Sequence, residues 1–346
     1  MRLFAIALTA LPLLLGAAPI SDHQAAATLQ HTFESRYLEL SGAARQHYSL
    51  RLYRLSGEKR YLVDIINDAY DTASRLNHYV DMLGDDQARL AESKRLIGNI
   101  SKGPRGKKRR AVLKDTGDLR YAMYLSYLLA KVDDLGLKHR HQERLLAYLK
   151  GHEALQAKLL EPGFIRAYAA QAANYVYWLY QLGVADLRAD FDLAMQRAYP
   201  DARDEALSRQ QFKNKIYGLT HIILADSGYY QRQVPAERHR WILDYFEAHR
   251  NDILARTSED VMAEVALCLL LTGQQGHPLI GEVKQRLKAS IHPEAGLIPS
   301  VSGKLELSSG EHRNVLAMAL LNWPEQRFQG PDLGRRAKLP YGLVAK

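Results

Sequence analysis

The sequence contains one cysteine, Cys268. A single thiol excludes a disulfide framework and a cysteine-rich metal site. Its place in the run Ala266-Leu267-Cys268-Leu269-Leu270-Leu271 marks it as a buried, inert side chain. There is no glycine-rich phosphate loop, no dinucleotide fingerprint and no Gly-x-Ser-x-Gly elbow, so chemistry of those kinds is excluded. Strand signals are nearly absent. The one exception, Gly296 to Ser309, reads as a short β-hairpin or an ordered loop. After the first 20 residues, no apolar run is long enough to span a bilayer.

What is present begins with an export signal. Met1-Arg2 gives a positive start, Leu3 to Leu15 is almost wholly apolar, and Gly16-Ala17-Ala18 offers small residues for cleavage. Residues 1–18 therefore read as a signal peptide, with Pro19 leaving the cleavage point open. The expectation is a bacterial protein that is periplasmic or secreted, with no transmembrane segment once the signal is removed. The formal charge is +9, and much of it is local. Lys102, Arg105, Lys107, Lys108, Arg109 and Arg110 crowd the segment 102–110, read as a loop, and Arg335, Arg336 and Lys338 lie in the tail. Such a run could bind nucleic acid, but export removes that partner. A solvated mobile loop is the plain reading, with anionic lipid headgroups or acidic glycans as the partners its charge would suit.

The rest of the chain is punctuated by helix stops. Apolar-periodic segments end at Leu83-Gly84, Leu135-Gly136, Leu182-Gly183, Ser227-Gly228, Thr272-Gly273 and Asn322-Trp323-Pro324, at intervals of 45 to 52 residues. That interval is one helix, a turn, a second helix and another turn. Partner helices are expected near 87–97, 142–160, 187–198, 235–253 and 279–290, with leading helices over 24–55. Repeating hairpins form either an open solenoid or a closed ring. The strongly apolar sixth unit, Val315 to Leu321, lacks the polar face of a solenoid cap. The spacing predicts an all-α fold, an α/α toroid of about six helical hairpins. It is read as a single domain over 22–325, followed by an irregular basic tail over 326–346.

Measured against the stops, polar groups interrupt the apolar faces at nearly one level. His221, Glu264 and His312 fall within about 5 Å of each other along their helices, at 1.5 Å per residue. Asp260 lies one turn from Glu264 on the same face. Two imidazoles and one or two carboxylates suit a divalent ion such as zinc, with His221, Glu264 and His312 as ligands. The same set suits general acid–base work without metal. The plain alternatives are a hydrogen-bonded core histidine at His221 and first-turn residues favouring the helix dipole at Asp260, Glu264, Glu311 and His312. Asp226 is a second-rank candidate, because Asp is unfavourable at a helix C-terminus. Tyr175, Tyr177, Trp178 and Tyr180 form an aromatic run suited to helix packing or to stacking on a sugar.

Tyr217-Gly218-Leu219-Thr220-His221, Asp226-Ser227-Gly228, Asp260-x-x-x-Glu264 and Glu311-His312-Arg313-Asn314 together resemble an uncharacterised family of exported bacterial proteins, a domain of unknown function. They are also similar to α/α-toroid proteins that carry a Thr-His pair on one inner helix and an Asp/Glu pair on the next. The resemblance covers mainly residues 210–325. It implies an α/α ring and a polar site at His221, Asp260, Glu264 and His312, and no established activity. The expected function is an enzyme acting on a glycan or cell-envelope substrate by hydrolysis or elimination. The alternative is a non-catalytic periplasmic protein whose ring binds a sugar, peptide or partner protein. The oligomeric state is left open.

Overall fold

The computed structural model describes residues 20–346; the expected signal at 1–18 lies outside the described residues. The first helices are α1 (Asp22–Ser35), α2 (Gly42–Ser56), α3 (Leu62–Met82), α4 (Asp86–Gly98), α5 (Pro104–Ala111), α6 (Leu119–Asp133), α7 (Gln142–Lys150) and α8 (Glu153–Leu159). There follow α9 (Pro162–Gln181), α10 (Arg188–Ala198), α11 (Arg209–Asp226), α12 (Arg240–Ala248), α13 (Arg250–Arg256), α14 (Glu259–Leu271), α15 (Pro278–Ala289) and α16 (Leu307–Leu321). Two short strands, β1 (Leu137–His139) and β2 (Leu343–Ala345), pair antiparallel with Lys138 opposite Val344. Among the described residues, the protein is all-α apart from this ribbon.

Contacts between helices follow the stops. α2 packs against α3, α3 against α6, α6 against α9, α9 against α11, α11 against α14, α14 against α16, and α16 against α2. The leading segment thus divides, with α2 joining the stop-bearing helices and α1 packing on α16 and α15. α10 covers α9, and α4 covers α6. The sequence dictates which helices sit deepest. Val261 to Leu271 is buried without interruption, as is Arg313 to Leu321, and a helix apolar all round must be enclosed on every side. Helices α9 and α11 pack tightly at Gly218: a Cβ there would lie 3.0 Å from the Ala169 Cβ and 2.5 Å from the Met195 Cε, so a larger residue would require Met195 to move and α9 to yield slightly.

Four of the five stop glycines, Gly136, Gly183, Gly228 and Gly273, adopt left-handed φ of 69°, 63°, 62° and 80°. At the last three, the amides of Val184, Tyr229 and Gln274 donate to the carbonyls of Leu179, Leu224 and Leu269, at 2.9, 2.8 and 2.8 Å. These bonds satisfy carbonyls that the helix leaves orphaned. Gly84 does not share this geometry. The break there comes from Asp85, whose carboxylate caps α4 by accepting from the amides of Gln87 and Ala88.

Several expected elements differ. The segment 142–160 breaks at Gly151-His152, where His152 caps α8. The segment 235–253 becomes a 3₁₀ turn, Ala236–His239, followed by α12 and α13. The basic segment 102–110, expected as a loop, carries α5: Gly103 is its N-cap, Pro104 opens it, and Lys108, Arg109 and Arg110 lie in its last turn. Proline at the first position and cations in the last turn both favour a helix. Of the two readings for 296–309, the loop holds. One bridge joins His292 to Leu297, and Asn314 on α16 clamps both backbone groups of Ile298 at 2.8 and 2.9 Å. The tail 326–346, expected to be irregular, ends in β2 and docks: the Leu333 amide donates to the Leu135 carbonyl at 2.8 Å. Among the described residues, no helix is long and apolar enough to cross a membrane.

Candidate functional site

Helices α11, α14 and α16 bring His221, Asp260, Glu264 and His312 together. Glu264 is the one acidic side chain within the buried Val261–Leu271 run, and only 1% of it is exposed. An ionised carboxylate there needs hydrogen bonds or charge partners. Thr220 supplies the first, its hydroxyl donating to Glu264 Oε2 at 2.6 Å. His221 Nδ1 lies 3.5 Å from that oxygen and 3.4 Å from the Thr220 hydroxyl. On the other side, His312 Nε2 is 3.7 Å from Glu264 Oε1, while its Nδ1 is 4.0 Å from Asp260 Oδ2. Asp260 also accepts from the hydroxyls of Tyr217 and of Ser258, the latter at 2.5 Å, and faces Arg313 at 3.7 Å.

The zinc expectation can be tested on this geometry. The imidazoles of His221 and His312 approach different oxygens of Glu264, so they flank the carboxylate instead of converging on a point beside it. Among the described residues, no group of three or more His, Cys, Asp or Glu side chains is arranged to hold a metal ion. The arrangement fits acid–base chemistry instead. Both oxygens near His221, the Thr220 hydroxyl at 3.4 Å and Glu264 Oε2 at 3.5 Å, lie beside its Nδ1.

Asp226 is not part of this group. It ends α11 beside His239 Nε2 at 2.8 Å and Arg238 Nε at 3.2 Å. Burial pushes its carboxyl up, but the His239 bond and the Arg238 charge outweigh this, and the net shift is downward. The His239 bond and the Arg238 charge offset the unfavourable helix terminus.

Other members of the site left little trace in the sequence. His47 on α2 meets Glu311 Oε1 through Nδ1 at 2.7 Å, and its ring centroid is 5.4 Å from that of His312. Arg51, one turn on, lies over the Tyr229 ring at 5.3 Å. Tyr229 and Tyr230 follow Gly228 with φ of 54° and 76°, a region that bulky residues avoid. This strained turn puts the Tyr229 ring 6.3 Å from that of His221 and its hydroxyl 2.7 Å from Asn174 Oδ1. Burial pushes the Tyr217 hydroxyl up, helped by the charges of Glu264 and Asp260. Asp260 is held below its ordinary value: burial raises it, but the hydroxyls of Ser258 and Tyr217 prevail.

Beside this group, otherwise buried helices show narrow accessible stripes. They comprise Arg120, Tyr124, Tyr127 and Lys131 on α6, Gln171, Asn174 and Trp178 on α9, and Lys213, Tyr217, His221 and Ala225 on α11. Ring centroids step from Tyr124 to Tyr127 at 5.7 Å and on to Trp178 at 5.4 Å. Of the aromatic run seen in the sequence, Trp178 joins this surface; Tyr175 and Tyr177 are buried, and Tyr180 lies under Arg188.

Protonation in the Glu311 pair gives a testable pH dependence. Burial raises the Glu311 carboxyl to about 7 against the opposing charges of Arg51 and His312. The surrounding protein lowers His312 toward about 4, although 42% of its side chain is exposed and solvent weakens that shift, and burial holds His47 well below its ordinary value. Below about 7 the pair therefore carries its proton on Glu311, whose Oε1 lies 2.7 Å from His47 Nδ1. A carboxyl raised on folding binds more protons in the native state, so its contribution is full below about 4.5 and is lost as pH rises to about 7. The lowered histidines act with the opposite sign, adding stability as pH rises through the range from about 4 to 6.5. Glu311→Gln should therefore make thermal stability climb more steeply between pH 4.5 and 7, by up to about 3 kcal/mol across that window. An unchanged slope in melts across pH would refute the assignment.

A polar His–carboxylate group on three neighbouring helices, flanked by an aromatic stripe, is the feature that defines this helical protein. The chain belongs to the family described as domain of unknown function DUF3541, whose model matches residues 22–346. The match includes the docked tail as well as the helices. No curated protein and no solved structure matches the chain.

Proposed function

We propose that the chain is an exported α/α-toroid enzyme that acts on a glycan of the cell envelope, by hydrolysis or elimination. The single observation behind this reading is the buried Glu264 carboxylate, set between Thr220, His221 and His312. The unbroken series of helix neighbours from α2 round to α16 and back supports the ring. Glu264 acts as a positioning residue that holds the His221 tautomer. His221 Nε2 is the general base, taking a proton from water in hydrolysis or from a substrate carbon in elimination. Glu311, protonated up to about 7, returns a proton through His47. Trp178 and Tyr127 offer faces on which a sugar ring stacks.

The test is a screen of purified protein against envelope glycans with product analysis. A glycan cleaved by the natural protein and spared by His221→Ala supports the reading. A glycan that binds without any product would establish the non-catalytic alternative, in which the same polar groups satisfy one another as a buried network.

A further inference from the structure

The basic segment 102–110 is divided by helical geometry. On α5, Arg105 and Arg109 are four residues apart and share a face, which turns toward α6 and α9. There they line a cavity of about 380 Å³ together with Arg120, Tyr168, Gln171 and Tyr175. Lys107 and Arg110 border a different cavity. The first cavity is within the size range of small-ligand sites. The backbone also favours it: a Cβ on Gly106 would lie 1.7 Å from the Ser101 carbonyl oxygen, so only glycine lets α5 lie this close to the preceding turn.

Three guanidinium groups gathered without an anion repel one another. Arg109 donates to Gln171 Oε1 at 2.7 Å and to the Ala167 carbonyl at 3.2 Å, and lies over the Tyr168 ring at 4.7 Å. Arg120 donates to the Tyr175 hydroxyl at 3.0 Å, and its buried Nε has no partner. Among the described residues, none of the three forms an ion pair with a carboxylate. The cost is visible at Arg109, which burial, followed by the charge of Arg105, lowers to about 10, whereas at Arg120 burial is outweighed by Tyr175 and the net shift is upward. Neutral partners and one aromatic face do not balance the two half-buried cations, Arg109 and Arg120, with the exposed Arg105 beside them. An oxyanion would, because each guanidinium offers a planar fork of donors.

Helix α9 and Tyr229 link this cavity to the His–carboxylate group. Gln171, which holds Arg109, is three residues from Asn174 on α9, a rise of about 4.5 Å. Asn174 in turn holds Tyr229 beside His221, and the charge of Arg105 reaches the Tyr217 hydroxyl.

We infer that Arg105, Arg109 and Arg120 form a subsite for the carboxylate of an acidic sugar, placed so that the adjoining residue of a uronate-containing glycan reaches His221. The inference rests on the glycan reading above and names its substrate class.

The test is calorimetric titration of the full chain with a uronate tetrasaccharide, a neutral hexose tetrasaccharide and inorganic sulfate. The uronate should bind about tenfold or more tightly than the neutral sugar, the weight of one charge-assisted contact. Arg120→Gln and Arg109→Gln should abolish that preference, lowering the uronate affinity far more than the neutral affinity. Arg105→Gln alters an exposed side chain outside the core. It should reduce the preference with no change in the melting curve, so the test stands even if the other two variants fail to fold. Equal affinity for both sugars, or a preference that survives all three substitutions, would overturn the inference. Sulfate binding without uronate binding would also overturn it, leaving a simple ion site. Turnover restricted to neutral glycans would defeat the subsite and spare the catalytic proposal. Uronate preference with no turnover would do the reverse.

Discussion

Turnover of the glycan substrate is expected to fall by about 10²- to 10⁴-fold in His221→Ala, the usual contribution of a positioned general base, with KM little changed. The split between kcat and KM matters because His221 would act on the proton and contribute little to holding the sugar. Glu264 is predicted to act through His221, so its variants should show a different signature. Glu264→Gln keeps the shape and an acceptor for the Thr220 hydroxyl but removes the charge that steadies a protonated His221. It should lower kcat by a smaller factor and shift the lower limb of the pH–rate profile. Glu264→Ala, which leaves the Thr220 hydroxyl without its acceptor and both imidazoles without the neighbouring charge, should approach the loss seen in His221→Ala. A merely structural Glu264 would change the melting temperature and leave the pH profile in place. Unchanged turnover in both alanine variants would defeat the catalytic assignment.

The largest effect on stability is expected at Arg54, which is 2% exposed. Its guanidinium joins four parts of the chain. Nη2 meets the Asp134 carboxylate at 3.2 Å, Nη1 donates to the Gly228 carbonyl at 3.2 Å, and Nε donates to the Gly330 carbonyl at 3.2 Å. Arg54 thereby ties α2 to the end of α6, to the turn that carries Tyr229 and to the docked tail. Its own carbonyl accepts from the Phe328 amide at 3.0 Å. Arg54→Met would fill much of the space while leaving the Gly330 carbonyl without a donor, the Gly228 carbonyl with Gln231 alone and the Asp134 carboxylate with Gln181 in place of a cation. Removing one partner of such a buried arrangement costs about 3–5 kcal/mol, to be read from the urea midpoint at constant m-value. Limited proteolysis should then cut within 326–346 well before the helices. A loss below about 1 kcal/mol, with the tail still protected, would mean that the apolar contacts of Leu333 and Leu343 suffice to hold it.

Helix stops were legible because their cause is local. Gly183, Gly228 and Gly273 take a backbone conformation that other residues resist, and the bonds they close lie within six residues of chain. Glu264 was legible for a related reason: a carboxylate inside Val261–Leu271 conflicts with every neighbour and demands an explanation. The basic segment was less so, since proline and glycine beside a run of cations read equally as a loop. Gly103 and Pro104 proved to be the start of a helix, and only its packing against α9 separated Arg105 and Arg109 from Lys107 and Arg110. His47 and Arg51 carried no signal. They lie on an ordinary amphipathic helix, and their importance arises from α2 packing against α16, 250 and more residues away in sequence.

The sequence by itself therefore determined the helices, most of their ends, and the level at which His221, Glu264 and His312 stand, because periodicity and capping depend on neighbours in the chain. Tertiary structure alone decided who meets whom. It set Thr220 against Glu264, turned Tyr229 toward His221, gave Asp226 to His239 and docked the tail through Arg54. Those choices depend on distances between segments far apart in sequence, which no local propensity encodes.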